Sequence, residues 1–289
     1  MENNRIWTIK DLIVWTTDYF RRHHIESSRL DAELLLAHVL KKTRIFLYTD
    51  FDLIVNPSEL AQFREYVKKR VSGYSTAAII GEKEFMGLSF YVNPDVLIPR
   101  ADTETWLERV IQYHKNEAGL RVADLGTGSG AILLSFLYYC RESSGVGVDI
   151  SEKALDTAQK NGESLQLNDR TEWRQGNFLE ALREGERFDG ILSNPPYIPS
   201  QDIDGLDEEV KNEPRLALDG GEDGLDFYRI LAEKVSSFLN PGGFLALEFG
   251  IRQADFVYRL LKDTGNFDSF EIIRDYGGID RAVYCRKKS

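Results

Sequence analysis

The chain has 289 residues, of which 42% are hydrophobic and 29% are charged, and its formal net charge is −11. This composition is typical of a folded globular protein and argues against binding to nucleic acid through a broad basic surface. No stretch approaches the roughly 18 apolar residues of a membrane span, and the first residues lack the pattern of a secretory signal, so we expect a cytoplasmic protein without a membrane partner.

Residues 8–70 show the apolar spacing of amphipathic helices. Three segments carry it: "IKDLIVWTTDYF", "SSRLDAELLLAHVL", which opens with serines suited to capping, and "SELAQFREYVKKRVSG" after Pro57. Unlike the rest of the chain, residues 1–80 hold slightly more basic than acidic residues. We expect a helical domain over residues 1–75, and its distinct charge favours docking of a protein partner over a purely stabilising role.

The next segment predicts a linker between two domains. "AAIIGEKEFMGLSFYV" holds two β-rich runs around Gly81 and Gly87, which indicate a β-hairpin within residues 76–100. In "IPRADTE", Arg100 and Glu104 suit an ion pair at the start of a helix, with Asp102 or Thr103 as its cap.

Beyond this linker, short apolar runs alternate with helical patterns. "RVADLG", "GVGVD", "TEWRQG" and "FDGILSN" are separated by "AILLSFLYYCRES" and "SEKALDTAQKNGESLQ". A helix near "LDFYRILAEKVSSFL", a turn at "NPGG" and strands near "FLALEFG", "SFEIIRD" and "RAVYCRK" follow. This alternation predicts an α/β domain over residues 101–289, with a mainly parallel, Rossmann-like sheet and helices on both faces.

Neither the cysteines nor the histidines suggest a metal. Cys140 and Cys285 are the only cysteines, and the four histidines form no motif with metal-ligand spacing. We expect structural roles for both cysteines and no bound metal.

The stretch "VADLGTGSGAI" places three glycines after a strand and at the start of a helix. Its Gly-x-Gly-x-Gly spacing differs from the Gly-x-Gly-x-x-Gly of dinucleotide sites. Asp124 precedes the turn, and Asp149 ends the next strand, where a carboxylate can accept hydrogen bonds from ribose hydroxyls. Two acids suit a cationic nucleoside such as S-adenosylmethionine better than a pyrophosphate. A generic βα turn with solvated acids is the alternative.

A second candidate site is "SNPPYIP" at residues 193–199. Its prolines fix the backbone and keep the preceding residues out of a helix. The amide of Asn194 therefore lies just beyond the end of a predicted buried strand, at the edge of the sheet where ligands bind. The alternative is a simple strand-ending turn with a buried aromatic.

"DLGTGSG" together with "NPPY" resembles the class I S-adenosylmethionine-dependent methyltransferases that modify planar amino or amide nitrogens. Further stretches, "RLDAELLLAHVL", "GEKEFMGLSFYVNPDVLIPRADTE", "NEPRLALDGGEDGLDFYR" and "DYGGIDRAV", look like the release-factor glutamine methyltransferases, the PrmC or HemK family. The resemblance covers nearly the whole chain. Two departures are Phe178, where relatives often have tryptophan, and "GYSTAAIIG", where relatives usually have a proline before an aromatic residue and isoleucine.

The resemblance implies S-adenosyl-L-methionine as cofactor, with S-adenosyl-L-homocysteine as product, and specific binding residues. The methionine portion would contact Gly126, Thr127, Gly128, Ser129 and Gly130. Asp149 would hold the ribose, Phe178 would stack on the adenine, and the cofactor would also contact Asn194. The resemblance also implies that the substrate is the glutamine of a Gly-Gly-Gln loop in a peptide-chain release factor.

We expect the catalytic and substrate-binding loop to be Asn194, Pro195, Pro196 and Tyr197. The Asn194 side-chain oxygen and the Pro195 carbonyl would accept the two N–H bonds of the glutamine amide, aligning its nitrogen with the methyl group. Tyr197 would pack on the flat amide. The segment with Glu213, Pro214 and Leu218 is either a lid over this glutamine or a solvated connection.

Two other functions remain open on the sequence alone. An adenine-amino methyltransferase uses a similar loop but needs a basic surface for nucleic acid, which the acidic catalytic part does not offer. A noncatalytic cofactor-binding module would be expected to lose Asn194 or the glycine turn, and this chain retains both.

Overall fold

The computed structural model describes residues 6–289, and the chain divides into two compact units. The first holds residues up to Gly81 together with Asp207–Asn212, and the second holds Glu82–Leu206 and Glu213–Ser289. The predicted domain boundaries after residues 75 and 100 remain predictions, and residues 1–5 lie outside the described part. Within residues 6–289, no helix is long and apolar enough to cross a membrane.

The first unit is helical, as its periodicity predicts. Its helices up to Gly81 are α1 (Ile9–Arg22), α2 (Ser28–Leu40), α3 (Phe46–Thr49), α4 (Pro57–Val71) and α5 (Thr76–Ile80). Capping boxes start α1, at Thr8 and Asp11, and α4, at Asn56 and Glu59. The apolar faces of α1, α2 and α4 meet in one core that includes Phe20, Leu35 and Phe63.

Two local predictions in this unit are wrong. Within the described residues, Ser27 makes no side-chain capping bond to α2, and the Ser28 hydroxyl instead donates to the Ile25 carbonyl. The run "AAII", predicted as a strand, is helix α5. Its N-cap Ser75 accepts a hydrogen bond from the Ala78 amide at 3.1 Å, and the helix ends at Gly81 in the left-handed region. Capping at both ends outweighs the preference of the isoleucines for strands.

The second unit alternates strands and helices. From Glu82 onward, the elements in chain order are β1 (Glu82–Phe85), β2 (Leu88–Tyr91), α6 (Ala101–His114), β3 (Arg121–Leu125), α7 (Ala131–Tyr139), β4 (Ser144–Asp149), α8 (Glu152–Ser164), β5 (Thr171–Gln175), β6 (Phe188–Ser193), α9 (Glu208–Lys211), α10 (Asp226–Lys234), β7 (Leu239–Glu248), α11 (Ala254–Asp263), β8 (Phe267–Arg274) and β9 (Asp280–Lys287). Helix α9 belongs to the segment that groups with the first unit.

The described residues of this unit form a seven-stranded sheet in the order β5-β4-β3-β6-β7-β9-β8. The strands from β3 to β7 pair in parallel, and β9 runs antiparallel to both of its neighbours. The predicted hairpin also forms, between β1 and β2. The Rossmann-like fold class is therefore confirmed. The carboxyl ends of β3, β4 and β6 meet at one edge, beside the point where strand order reverses, and this is where such sheets bind ligands.

Apolar cores on the two faces of the sheet hold this edge rigid. Helices α6 and α7 bury Trp106 and Phe136 in one core, and α10 and α11 bury Tyr228 and Val257 in the other. The predicted turn at "NPGG" lies inside β7, where Leu239 pairs with Phe188 but Phe244 pairs with Gly190. The four residues "NPGG" are thus an irregular section within the strand pairing, because the chain resumes the same pairing after them.

Candidate active site

The glycine turn joins β3 to α7 at the carboxyl edge of the sheet. Gly126, Gly128 and Gly130 all have positive φ, at 75°, 54° and 78°, which favours glycine at each position. A Cβ atom on Gly130 would come within 3.1–3.2 Å of three side chains, whereas one on Gly128 would meet no described atom within 4 Å. Gly130 therefore permits close packing of α7, and Gly128 faces open space.

Asp149, at the end of β4, holds this turn in place. Its Oδ2 accepts a hydrogen bond from the Gly128 amide at 2.8 Å, and its Oδ1 accepts one from the Ser151 amide at 2.9 Å. Burial raises the pKa of Asp149, and the backbone N–H groups counteract part of that increase. Carboxylate oxygens have further lone pairs, so Asp149 can also accept hydrogen bonds from ligand hydroxyls.

Asp124 lies fully buried beside the same turn. Its Oδ2 accepts a hydrogen bond from the Thr127 hydroxyl at 2.6 Å, whereas Oδ1 has no hydrogen-bond partner among residues 6–289. Burial raises its pKa to about 7. The Thr127 hydroxyl and the nearby Leu133 backbone N–H counteract part of that increase.

A cavity of about 250 Å³ opens at this edge of the sheet. Six of the predicted site residues line it: Gly126, Gly128, Asp149, Phe178, Asn194 and Pro196. A smaller cavity of about 50 Å³ adjoins it, lined in part by Thr127, Ser129 and again Asn194. The sequence-predicted residues of the two motifs are therefore brought together, and Asn194 lies at the junction of the two cavities.

The loop after β6 is fixed from both sides. Ser193, the last residue of β6, donates a hydrogen bond to the Leu125 carbonyl at 2.6 Å, which ties β6 to the start of the glycine turn. Further along, the Gln253 side chain donates to the Tyr197 carbonyl at 2.9 Å. Pro195 and Pro196 between them are buried. This loop presents Asn194 from a rigid backbone, as the prolines predict.

The phenol of Tyr197 is largely shielded from water. Burial raises its pKa, and the negative charge of Glu248 adds to that increase. Within the described residues, Tyr197 is not among those that line either cavity. Its predicted packing on the substrate amide therefore stays a prediction.

Phe178 forms one wall of the larger cavity. Its ring lies 4.5 Å from that of Phe227, measured between centroids, and its φ is 47°. A Cβ atom on Gly126 would come within 3.5 Å of the Phe178 ring. The ring is thus held between Phe227 and the glycine turn. No motif or periodicity in the sequence indicated the contact with Phe227.

The segment around Glu213 also reaches this site. Glu213 accepts hydrogen bonds from the Arg100 guanidinium at 2.7 Å and from the Ile98 amide at 3.4 Å. Pro214, Leu216 and Ala217 then line the larger cavity. The segment is therefore anchored against the cavity, as a lid would require, although the role of a lid itself stays a prediction.

The expected ion pair between Arg100 and Glu104 is wrong. Arg100 binds Glu213, whereas a Glu104 oxygen accepts a hydrogen bond from the Met86 amide at 2.6 Å. Thr103, expected as a possible cap, instead donates a hydrogen bond to the buried Glu248 at 2.7 Å. Glu213 lies 113 residues from Arg100, and Glu248 lies 145 residues from Thr103, so neighbouring residues could not have identified these partners.

Cys140 and Cys285 are free and buried, and burial raises the pKa of Cys140 to about 11. In the described part of the chain, no cluster of three or more histidine, cysteine or acidic side chains could hold a metal ion. The expected absence of a metal stays a prediction.

Comparison with protein families gives two matches along the chain. Residues 11–81 match the PrmC N-terminal domain, and residues 105–213 match the methyltransferase small domain. A release factor glutamine methyltransferase of Geobacter sulfurreducens is 42% identical over 283 residues, covering 98% of each chain. One of Moorella thermoacetica is also 42% identical, covering 91% of this chain and 93% of the relative.

Solved structures share the fold at lower sequence identity. A methyltransferase from Pyrococcus furiosus has a TM-score of 0.50 at 20% identity, covering 70% of this chain and 90% of its own. The hMettl16 catalytic domain has a TM-score of 0.56 at 14% identity, covering 76% of this chain and 81% of its own. These similarities support a methyltransferase fold for the α/β unit.

Proposed function

The chain belongs to the release factor glutamine methyltransferase family, and on that premise we propose that it methylates the side-chain amide nitrogen of a glutamine in peptide-chain release factors. The methyl donor is S-adenosyl-L-methionine, and the acceptor is the glutamine of the Gly-Gly-Gln motif. The modification modulates translation termination, which places the enzyme in the cytoplasm. The observation that carries the proposal is that Asn194 lies at the junction of the two cavities beside the glycine turn.

The residues of the larger cavity fit the proposed cofactor. Asp149 would accept the ribose hydroxyls, Phe178 would pack on the adenine, and the turn from Gly126 to Gly130 would contact the methionine portion. Two acidic residues beside the turn, Asp124 and Asp149, suit a cationic ligand better than a phosphate. Bound there, the cofactor supplies a methyl group already activated for transfer.

The remaining chemical task is to align a weak nucleophile. The lone pair of a glutamine amide nitrogen is delocalised into its carbonyl group. We assign the Oδ1 of Asn194 and the carbonyl of Pro195 as acceptors for its two N–H groups, which fixes the nitrogen and stabilises the positive charge that develops on it. As the new N–C bond forms, the bond from the methyl carbon to the sulfur of the donor would break, leaving S-adenosyl-L-homocysteine, and the nitrogen would lose one proton to water.

No strong base is required in this scheme. Tyr197 would pack against the plane of the amide, and the raised pKa of its phenol keeps the hydroxyl neutral. The buried prolines keep the acceptors from moving away from the substrate. Positioning thus accounts for most of the expected rate enhancement.

We assign recognition of the rest of the release factor to the helical unit. Its surface carries a groove of about 470 Å³ that is lined by both apolar and basic side chains, among them Val14, Tyr48, Phe51, Lys10 and Arg29. Such a mixed surface suits docking of a folded protein.

Mass spectrometry of purified release factor, incubated with this enzyme and S-adenosyl-L-methionine, tests the proposal. We expect one added methyl group on the loop glutamine and none on a release factor in which that glutamine is alanine. An unmodified DNA and an unmodified RNA serve as further substrates. Methylation of nucleic acid without methylation of the release factor would overturn the proposal.

A further inference from the structure

A buried chain of hydrogen bonds joins Asn194 to the end of β7. Glu248 is only 2% exposed, and its Oε2 accepts hydrogen bonds from Thr103 Oγ1 and from Trp106 Nε1, each at 2.7 Å. Asn194 Nδ2 donates in turn to Thr103 Oγ1, at 3.4 Å. Three separate parts of the fold, α6, the loop after β6 and β7, therefore meet at the Thr103 hydroxyl.

The chemistry of these groups determines which of them donates and which accepts each hydrogen bond. An ionised carboxylate has no proton to donate, so the single hydrogen of the Thr103 hydroxyl points to Glu248. The Thr103 oxygen then remains as an acceptor, and the NH₂ end of the Asn194 amide is the end that can donate to it. The two ends of an amide are nearly equal in size, so this hydrogen bond is what distinguishes them.

We propose that Glu248 and Thr103 are positioning residues that orient the Asn194 amide with its oxygen, rather than its NH₂ group, toward the substrate nitrogen. The inference rests on the proposed function, in which Oδ1 of Asn194 accepts an N–H of the substrate glutamine. A reversed amide would place an N–H donor against that N–H donor. The Glu248 carboxylate thus acts on the reaction through Thr103 without touching the substrate.

Two substitutions test this role in the full-length enzyme. Glu248→Leu keeps the bulk of the side chain but removes the oxygen that accepts from both Thr103 Oγ1 and Trp106 Nε1, so the Thr103 hydroxyl is no longer held in one direction. Thr103→Val keeps the shape but removes the hydroxyl. For each, we expect the kcat for release-factor methylation to fall by about 10- to 100-fold, while the Kd for S-adenosyl-L-methionine measured by titration stays unchanged.

Two matched variants separate orientation from packing. Thr103→Ser restores the hydroxyl and is expected to recover most of the turnover lost in Thr103→Val. Thr105→Val removes a neighbouring hydroxyl on α6, one that donates to the Asp102 carbonyl, and is expected to keep wild-type kcat. Wild-type kcat in Glu248→Leu would overturn the inference, and so would failure of Thr103→Ser to recover activity.

A second measurement asks whether Thr103 acts through Asn194. In single-turnover assays read by mass spectrometry, Thr103→Val should cause little further loss once Asn194 has been changed to alanine. An equal loss in both backgrounds, or a parallel loss of cofactor affinity, would show a structural role and overturn the inference. Failure of the wild-type enzyme to methylate release factor would instead overturn the proposed function.

Discussion

The α/β unit has two kinds of buried carboxylate, one with a raised pKa and one with a lowered pKa. Near the carboxyl edge of the sheet, Asp124 and Glu248 are fully shielded, and burial raises the pKa of each to about 7. Glu186, which precedes β6, instead binds Arg174 at 2.7 Å and also contacts Arg121. Its hydrogen bonds to Arg174 hold its pKa down to about 2.

The ionised form of Glu186 therefore stabilises the fold, whereas the ionised forms of Asp124 and Glu248 destabilise it. A carboxylate paired with arginines favours folding in its ionised form, whereas one buried with mainly neutral partners opposes it. The second kind persists at the candidate active site, where the proposed function uses it. The contrast predicts opposite changes in stability when the two kinds of carboxylate are neutralised.

The largest effect is expected at Asn194, the uncharged group that the proposed function places against the substrate. Asn194→Ala should lower kcat by roughly 100- to 1000-fold, the usual cost of removing one hydrogen-bonding group that stabilises the transition state. The dissociation constant for S-adenosyl-L-methionine should change little. Asn266→Ala, an exposed change on the same unit, is the control, and retained turnover in Asn194→Ala would remove this residue from the mechanism.

Neutralising Glu248 should stabilise the protein at alkaline pH. The pKa of Glu248 rises on folding from about 4.5 to about 7 because of burial, so stability is lost as pH rises through this range. At pH 8, Glu248→Gln should therefore increase the free energy of unfolding, by about 3 kcal/mol at most. Chemical denaturation at pH 8 and at pH 4 measures it, and the gain should vanish at pH 4.

Protonation of Glu248 should also change kcat. Wild-type kcat is expected to fall as pH drops below about 7, when Glu248 becomes protonated. Arg281 favours the ionised form of Glu248 and Asp102 opposes it, and Tyr197 stays neutral in this range. Glu248→Gln should lack this acidic limb. Asp124 titrates in the same range. If kcat of Glu248→Gln still falls below about pH 7, the fall would be assigned to Asp124.

Glu186 should show the opposite stability change. Glu186→Gln removes one of the two carboxylates that bind Arg174, the other being Glu172. It should destabilise the fold by about 1–3 kcal/mol at pH 7, with kcat unchanged under native conditions. Because its folded pKa is lowered, the contribution is present above about pH 4.5 and is lost as pH falls toward 2. Glu184→Gln, an equal charge change at an exposed neighbour, serves as the control in urea denaturation.

The smallest effect concerns Asp149. Asp149→Asn keeps one acceptor oxygen but loses the charge, so the Kd for S-adenosyl-L-methionine should rise by about tenfold, the equivalent of one charge-assisted hydrogen bond. Asp156→Asn, an exposed change on the following helix, should leave the Kd unaltered. Equal Kd values for Asp149→Asn and the wild type would exclude Asp149 from the ribose site.

The sequence by itself determined the parts that depend on neighbouring residues. Glycine spacing and proline stiffness predicted the turn from Gly126 to Gly130 and the rigid loop at Asn194. Alternating apolar runs predicted the parallel sheet, whose carboxyl edge brings these two motifs together. Where local signals competed, as at Thr76–Ile80, the prediction of a strand was wrong because helix caps outweighed the preference of single residues.

Only the tertiary structure decided which side chains complete the site. Thr103 and Glu248 are 145 residues apart in the chain, and Arg100 finds Glu213 rather than the nearby Glu104. No periodicity or motif reports such pairs, because they depend on which strand ends become neighbours once the sheet has formed. The raised pKa of Glu248 has the same origin, since burial is a property of the assembled core rather than of the surrounding sequence.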